Sequence, residues 1–304
     1  MSLRVIHGGP TAPTQGIGLA DYVWISPDGD LESKTRIIPV GVDANKEPVP
    51  VIDRWTAHTN HGPILLSPCH YLPDPLRPQP SFITLCEVRD KDDNCPVSNH
   101  RNTLRHLLGR DQTIWWGFRQ EYELYESAVN VEAAPKEHFA VAERHLGACM
   151  DAGLMIHSAD LATGNFKVGH RGMPATVDPD APTALVVADH LWIARYLLTK
   201  VAREYGLEPS YANLQCAAFF STERMRNLAP TGIDLADNII RLGTALASDE
   251  DSSWRPDLRA CVVAQQGGFE CLEDQNPPGT MDPYQIAGRL LAAIRNTETL
   301  RLET

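Results

Sequence analysis

Residues 115–123 read WWGFRQEYE, and their alternation of aromatic and polar residues predicts a β-strand. Side chains in a strand point alternately to its two faces. One face would carry the larger residues Trp116, Phe118, Gln120 and Tyr122. The other would carry Gly117, Arg119, Glu121 and Glu123. A charged face on a strand this rich in aromatic residues is either a solvated sheet surface or the lining of a site.

Helices and strands alternate on the C-terminal side of residue 98. Residues 98–108 open with a capping Ser or Asn and predict a helix, as do residues 136–153, where Phe139, Leu146 and Met150 recur at helical spacing before Gly153. The segment GNFKVGH at 164–170 predicts a strand with Asn165 and Lys167 on one face. Residues 184–206 carry the clearest helical periodicity, residues 214–222 and 260–273 read as strands, and 281–296 predict a terminal helix.

The first 97 residues read as short strands broken by turns, with a proline-rich connector at 71–80 and a buried strand at 81–88. The whole pattern predicts an α+β protein. We expect a small β-rich N-terminal domain over residues 1–97. A second domain over residues 98–304 would hold a largely antiparallel sheet with packed helices.

Composition excludes several classes of partner. The 304 residues carry 27 Lys and Arg against 39 Asp and Glu, a formal charge of −12, which argues against nucleic-acid and anionic-membrane surfaces. No apolar run approaches the roughly 20 residues of a spanning helix, and residues 1–9 lack the apolar core of a signal peptide. We therefore expect a cytoplasmic protein. Its seven cysteines are odd in number and form no C-x-x-C pair, which argues against a disulfide framework or zinc ribbon.

Common catalytic signatures are absent from the sequence. It contains no G-x-G-x-x-G, P-loop, H-E-x-x-H or G-x-S-x-G pattern. The histidines at 58, 61 and 70 stand without a closing pair at zinc-like spacing, so solvated loop histidines are the favoured interpretation. His157, Asp160 and His170 flank the strand at 164–170 and leave open a metal site, provided that the fold brings them together.

Seven segments resemble eukaryotic-type glutamine synthetases in order and nearly in spacing. They are DYVWISPDGDLESKTRIIP, DPLRPQPSFITLCEV, WWGFRQEYEL, ACMDAGL, DHLWIARYLLTKVAREYG, FFSTERMR and MDPYQIAGRLL. The resemblance covers most of the chain. It implies a β-grasp-like N-terminal domain, a catalytic-type C-terminal domain, and rings in which one subunit's N-terminal domain completes the neighbour's site. It also implies a reaction in which ATP phosphorylates glutamate and ammonia displaces the phosphate.

The residues that bind metal in that family are largely replaced here. Arg119 matches the first glutamate of the family's G-x-E-Q-E-Y strand, and Asn165 matches the glutamate of W-E-F-Q-I-G. Ala217 stands where G-C-H-x-N-F-S-T has its histidine. The last ligand, in F-E-D-R-R-P, is matched to Glu270, without the arginines beside it. The family's D-G-S-S loop is also missing.

These replacements predict a site in which fixed cations stand where metal ions would bind. Arg119 and Lys167 would pair with Glu121 and Glu270, since two carboxylates without a cation repel one another. The other interpretation of the charged strand is an ordinary solvated ion pair. The predicted catalytic residues are Glu121, Glu270 and Arg119. The predicted ligand-binding residues are Lys167, Asn165 and Arg119, with no metal and no cofactor.

The sequence favours a glutamine-synthetase-like protein that has lost the ATP- and Mg-dependent ligase reaction. Its site would accept a small amino-acid-like or carboxylate ligand, for binding only or for altered chemistry without ATP. Two alternatives stay open: a divergent ATP-dependent γ-glutamyl ligase with relocated ligands, and a structural or regulatory assembly subunit. The expected partners are this ligand and further copies of the chain, with no nucleic acid and no membrane.

Overall fold

The protein is an α+β protein, described by a computed structural model for residues 16–43, 45, 47–59, 62–90, 92–96, 98–109, 114–126, 131–169, 183–222, 261–266 and 269–302. It divides into two compact units. One comprises Met1–Asn102 and Ala148–Leu154, and the other comprises Thr103–Gly147 and Met155–Thr304. The predicted domain boundary at residues 97/98 stays a prediction.

The first unit is built on a six-stranded sheet. Its strands are β1 (Gly16–Ile25), β2 (Leu31–Val42), β3 (Pro48–Pro50), β4 (Trp55–Thr59), β5 (Gly62–Pro73) and β6 (Ser81–Arg89). Their spatial order is β3-β2-β1-β6-β5-β4, with β1 and β6 parallel and the other neighbours antiparallel. One face buries a core that includes Tyr22, Trp24 and Phe82.

The proline-rich connector of this unit is shorter than the sequence predicts. Tyr71, Leu72 and Pro73 still belong to β5, whose backbone pairs with β6. The rest of the segment is held by Arg77, whose Nη2 lies 3.1 Å from Asp21 Oδ1 and whose Nε lies 3.6 Å from Asp74 Oδ2. A buried carboxylate needs such a partner, because desolvation otherwise disfavours its charge.

The second unit contains the strand with which the sequence analysis began. Its main strands are β7 (Trp115–Glu121), β10 (Ile156–Asp160), β11 (Asn165–Gly169), β13 (Cys216–Ser221), β14 (Val262–Gln266) and β15 (Phe269–Asp274). They form an antiparallel sheet in the order β10-β11-β7-β13-β15-β14. A second sheet, β12-β8-β9, consists of β12 (Leu207–Ser210), β8 (Glu123–Glu126) and β9 (Val131–Glu132).

The chain leaves the main sheet at Tyr122, so the prediction that Glu123 continues the charged face of β7 is wrong. The Tyr122 amide donates to the Gly164 carbonyl over 2.9 Å, and its ring stacks on His138 with the ring centroids 5.5 Å apart. Glu123 instead begins β8, which pairs with β12 in the small sheet. Local alternation continues through residue 123, but a tertiary contact redirects the backbone.

The described residues contain four helices: α1 (His100–Leu108), α2 (Pro135–Asp151), α3 (Thr183–Glu204) and α4 (Pro283–Leu302). They begin and end within two residues of the predicted positions, except that α4 continues six residues beyond its predicted end at residue 296. The Asn102 amide donates to Asn99 Oδ1, which caps α1, and the Tyr284 amide donates to Asp282 Oδ1, which caps α4. Gly153, at φ +78°, ends α2 with the paired backbone hydrogen bonds of a Schellman motif.

Helix α2 buries a different stripe from the apolar one that its sequence suggests. Phe139 is 47% exposed and Met150 is 65% exposed. Small or polar residues form the buried side instead: Val141, Ala142, His145, Ala148 and Cys149. The apolar stripe predicted for α3 is Val187, Leu191, Ala194, Leu198, Val201 and Tyr205. The first five are fully buried, whereas Tyr205 follows the end of the helix and is 44% exposed.

None of the seven cysteines forms a disulfide and five of them are buried, which agrees with the predicted absence of a disulfide framework. Within the described ranges, none of the helices has the length and apolar character needed to cross a bilayer.

Candidate functional site

The ladder register of the main sheet brings the predicted charged residues together. Lys167 of β11 lies opposite Arg119 of β7, and Asn165 lies opposite Glu121. On the other side of β7, Ala217 of β13 lies opposite Arg119. Directly opposed residues in a sheet share a face. Arg119, Glu121, Lys167 and Asn165 therefore lie on one face, as the sequence analysis predicts.

The back of the same sheet is a packed core. Phe118, Gln120, Phe166 and Val168 are buried there. Arg195 of α3, itself 2% exposed, donates from Nε to Gln120 Oε1 over 2.9 Å and from Nη2 to the Gly279 carbonyl over 2.9 Å. This clamp ties α3 to the residue between Arg119 and Glu121. The charged face is thus the side of β7 that α3 does not cover.

Arg119 is the centre of an ion-pair cluster on this face. Its Nη1 lies 3.2 Å from Glu273 Oε1, and its Nη2 lies 3.8 Å from Glu121 Oε1. The Glu273 side chain is 8% exposed, whereas that of Glu121 is 33% exposed. The shorter contact is also the more buried one, so water screens it less. The main electrostatic partner of Arg119 is therefore Glu273, and Glu121 is the weaker one.

Lys167 has no such carboxylate partner within the described ranges. Its Nζ lies 5.2 Å from the centroid of the Phe219 ring, a cation–π geometry. Phe219 and Glu273 are directly opposed in the β13–β15 ladder, so this ring adjoins the Arg119 ion pair. Asn165 Nδ2 donates to Thr163 Oγ1 over 2.9 Å.

Cys271 is a buried thiol on the same strand and face as Glu273, two positions away. Burial and, to a smaller extent, the nearby Glu273 raise the pKa of Cys271 to about 11, although Lys167 opposes the shift. The thiol is therefore protonated at neutral pH. This makes it a poor nucleophile, because the thiolate is the reactive form.

Several of the predicted site residues lie partly or wholly outside the described part of the chain. The backbone of Glu270 pairs with Gln265 in the β14–β15 ladder, but its side chain lies outside the described residues, so its predicted role stays a prediction. His170 and His61 also lie outside them. The Thr163 side chain and the backbone amides of Ala162 and Thr163 donate hydrogen bonds to Asp160, and these bonds lower the pKa of its carboxyl group.

Glu273 is the site residue that the sequence analysis missed. The family pattern F-E-D-R-R-P matches residues 272–277, LEDQNP, at Glu, Asp and Pro, whereas its placement at Glu270 matches only Phe and Glu. Side chains alternate between the two faces of a regular strand, so Glu270 and Glu273, three positions apart, are expected on opposite faces. Only one of them can lie on the face that carries Arg119. The carboxylate found against Arg119 is the one that this alternative placement selects.

Comparisons with known proteins agree with this resemblance. The chain is 26% identical to the glutamine synthetase of Eremothecium gossypii over 345 aligned positions, which cover 92% of this chain and 90% of the relative. It is 27% identical to that of Saccharomyces cerevisiae, covering 89% and 87% of the two chains, and 28% identical to that of Kluyveromyces lactis, covering 90% and 88%. No family model matches the chain.

An α+β fold with collinear likeness over nine-tenths of its length defines the class of protein. The likeness to these relatives, at about 26% identity over about nine-tenths of the chain, supports a divergent member of the glutamine synthetase family.

The side chains on the charged face do not fit the divalent-metal centre that the family resemblance implies. Divalent ions such as Mg²⁺ need several oxygen ligands, and a guanidinium offers only donors. Arg119, Asn165 and Ala217 occupy three of the matched ligand positions, and Arg119 bridges the carboxylates Glu121 and Glu273. Among the described residues, no three His, Cys, Asp or Glu side chains cluster as a metal site would require.

Proposed function

We propose that this protein is a glutamine-synthetase-like protein without the ATP- and Mg-dependent ligase reaction, and that it binds a small amino-acid-like or carboxylate ligand at the charged face of β7. Phosphoryl transfer depends on metal ions and positioned cations that neutralise the phosphate oxygens. Here the carboxylates that would hold those ions are neutralised by a side chain of the protein.

The observation that carries this proposal is the contact between Arg119 Nη1 and Glu273 Oε1 at 3.2 Å, with Glu273 8% exposed. A divalent ion bound at Glu273 would have to displace the Arg119 guanidinium. The two positive charges would then lie side by side and repel each other.

The same face keeps groups suited to a small polar ligand. Lys167 supplies an ammonium group, Asn165 supplies an amide, and Glu121 supplies a partly exposed carboxylate. Such a set can bind a ligand only, or Glu121 can exchange a proton with it. We further propose the finer architecture that the family suggests, namely a β-grasp-like N-terminal domain and a homo-oligomer that forms a ring.

An assay of nucleotide hydrolysis separates this proposal from the ligase alternative. Purified protein with ATP, Mg²⁺, glutamate and an amine should release no ADP above the buffer blank. ADP release that depends on both glutamate and the amine would establish the divergent γ-glutamyl ligase and overturn the proposal.

Titration with Mn²⁺, followed by calorimetry, tests the replaced metal site directly. We expect no saturable tight binding by the native chain. We expect measurable binding after Arg119→Glu, which places three carboxylates on the face with Glu121 and Glu273. Tight binding by the native chain that is lost in both Glu121→Gln and Glu273→Gln would contradict the proposal.

A dedicated hetero-oligomer would favour the third possibility, a regulatory subunit. Size-exclusion chromatography with light scattering measures whether copies of this chain assemble alone. Assembly that requires a second, different chain, together with failure to bind any amino acid, would favour the regulatory role.

A further inference from the structure

The charged face of β7 carries two cations that differ in their contacts with carboxylates. Arg119 contacts two carboxylates, at 3.2 Å and 3.8 Å. Lys167 contacts the ring of Phe219 and forms no ion pair with the described residues. An ammonium group over an aromatic ring keeps its remaining N–H donors for another acceptor, since the ring occupies one side only. Lys167 is therefore the cation with capacity for an anionic group of a ligand.

The two carboxylates on this face, Glu273 and Glu121, differ in exposure and in their distance from Arg119. Glu273 is 8% exposed and is held by the shorter contact to Arg119, whereas Glu121 is 33% exposed and lies at the longer distance. Glu121 Oε2 also accepts a weak hydrogen bond from the Gln215 amide over 3.4 Å. Glu121 is thus the carboxylate that can best accept a cationic group of a ligand.

The ladder register gives the spacing of these two groups. Lys167 opposes Arg119 and Asn165 opposes Glu121, so Lys167 and Glu121 are diagonal neighbours across β11 and β7. Diagonal neighbours in an antiparallel pair are about 7 Å apart. A small molecule whose carboxylate and ammonium groups are a few ångströms apart can bridge them.

We infer that this site, as the ligand site of the proposed function, selects a zwitterionic amino acid with an uncharged side chain over one with an anionic side chain. Its carboxylate binds Lys167 and its ammonium group binds Glu121. The four charged side chains Arg119, Lys167, Glu121 and Glu273 sum to zero, so a neutral ligand leaves no charge uncompensated. A second ligand carboxylate would lie near Glu121 and Glu273, while Lys167 already binds the first carboxylate and Arg119 contacts the two glutamates. Such contacts between like charges disfavour binding.

L-Glutamine and L-glutamate test this selectivity, because they have nearly the same size and differ in one charge. Calorimetric titration of the metal-free protein should show L-glutamine binding on the order of tenfold tighter than L-glutamate. N-acetyl-L-glutamine, which lacks the ammonium charge, should bind more weakly than L-glutamine. Equal or tighter binding of L-glutamate, or no binding of L-glutamine, would overturn the inference.

Variants locate the effect at Lys167. Lys167→Gln should weaken L-glutamine binding by about tenfold, and Lys167→Arg should preserve most of it because the charge remains. Lys200→Gln is the matched control, since Lys200 also lies over an aromatic ring, that of Tyr196 at 5.4 Å, but on α3. Unchanged binding in Lys167→Gln would remove the basis of the inference. Loss in both Lys167→Gln and Lys167→Arg, with native circular dichroism spectra, would likewise contradict a role based on charge.

The proposed function and this inference can fail separately. A preference for L-glutamate in the absence of metal and nucleotide would contradict the inference alone. Binding of L-glutamate that requires ATP and Mg²⁺, with release of ADP, would contradict the proposed function as well.

Discussion

Arg119 has a role in stability that follows from its partners. Arg119→Met leaves Glu273 almost fully buried without its cation, and Arg119 is itself 22% exposed. We expect a loss of about 1–3 kcal/mol in the free energy of unfolding, below the range for fully buried pairs because water partly screens the site. Urea denaturation measures it. Arg119→Met combined with Glu273→Met should recover part of the loss, and strictly additive effects would show that the pair is not coupled.

His145 provides a pH-dependent contribution to stability. It lies buried on α2, its Nε2–H donates to the Ala194 carbonyl over 3.0 Å, and its ring packs edge-on against Phe166. Burial lowers its pKa from 6.5 to about 4, although the hydrogen bond to Ala194 opposes the shift. Between these values the unfolded chain binds a proton that the folded chain excludes, so stability falls as the pH decreases.

The expected loss from this histidine is on the order of 3 kcal/mol between pH 7 and pH 4. Urea denaturation at a series of pH values measures it, with His145→Gln as the comparison. The variant should show a smaller decrease in stability over this pH interval. An identical pH dependence in both proteins would mean that His145 does not titrate as described.

Helix ends and interiors use glycine differently, and α2 contains both cases. Gly153 follows the helix at φ +78°, a conformation that a side chain disfavours, so Gly153→Ala should lower stability by about 1 kcal/mol. Gly147 lies inside the helix with no atom within 4 Å of an added Cβ, so Gly147→Ala should raise stability by up to about 1 kcal/mol. Thermal denaturation compares the two, and the same sign for both changes would contradict this assignment.

For the chain as a whole, the free thiols predict that stability does not depend on redox state. None of the seven cysteines forms a disulfide, and five are buried. Thermal unfolding with and without excess dithiothreitol should therefore give the same midpoint in freshly purified protein. A midpoint lowered by the reductant would indicate a disulfide and would contradict this prediction.

Local chemistry was sufficient to predict most helices and strands. The cap of α4 at Asp282, the end of α2 at Gly153 and the buried stripe of α3 all follow from residues within a few positions of one another. Backbone capping and side-chain periodicity depend on residues within one or two turns of each other, so they can be predicted from the linear sequence. The alternation in β7 was legible for the same reason, and it correctly put Arg119 and Glu121 on one face.

Contacts between distant segments could not be predicted in this way. The partner of Arg119 is Glu273, more than 150 positions later, and its selection depends on the register between β7, β13 and β15. The departure of Glu123 into a second sheet depends on the contacts of Tyr122 with Gly164 and His138.

The linear order of residues therefore determined the α+β class and the main elements, and it placed Arg119, Asn165 and Ala217 at positions where the family resemblance implies metal ligands. Strand pairing across the sheet decided which carboxylate lies closest to Arg119 and placed Lys167 over the ring of Phe219. The physical reason is range: capping and alternation are local, whereas ion pairs on a sheet face form only after strands far apart in the chain are aligned.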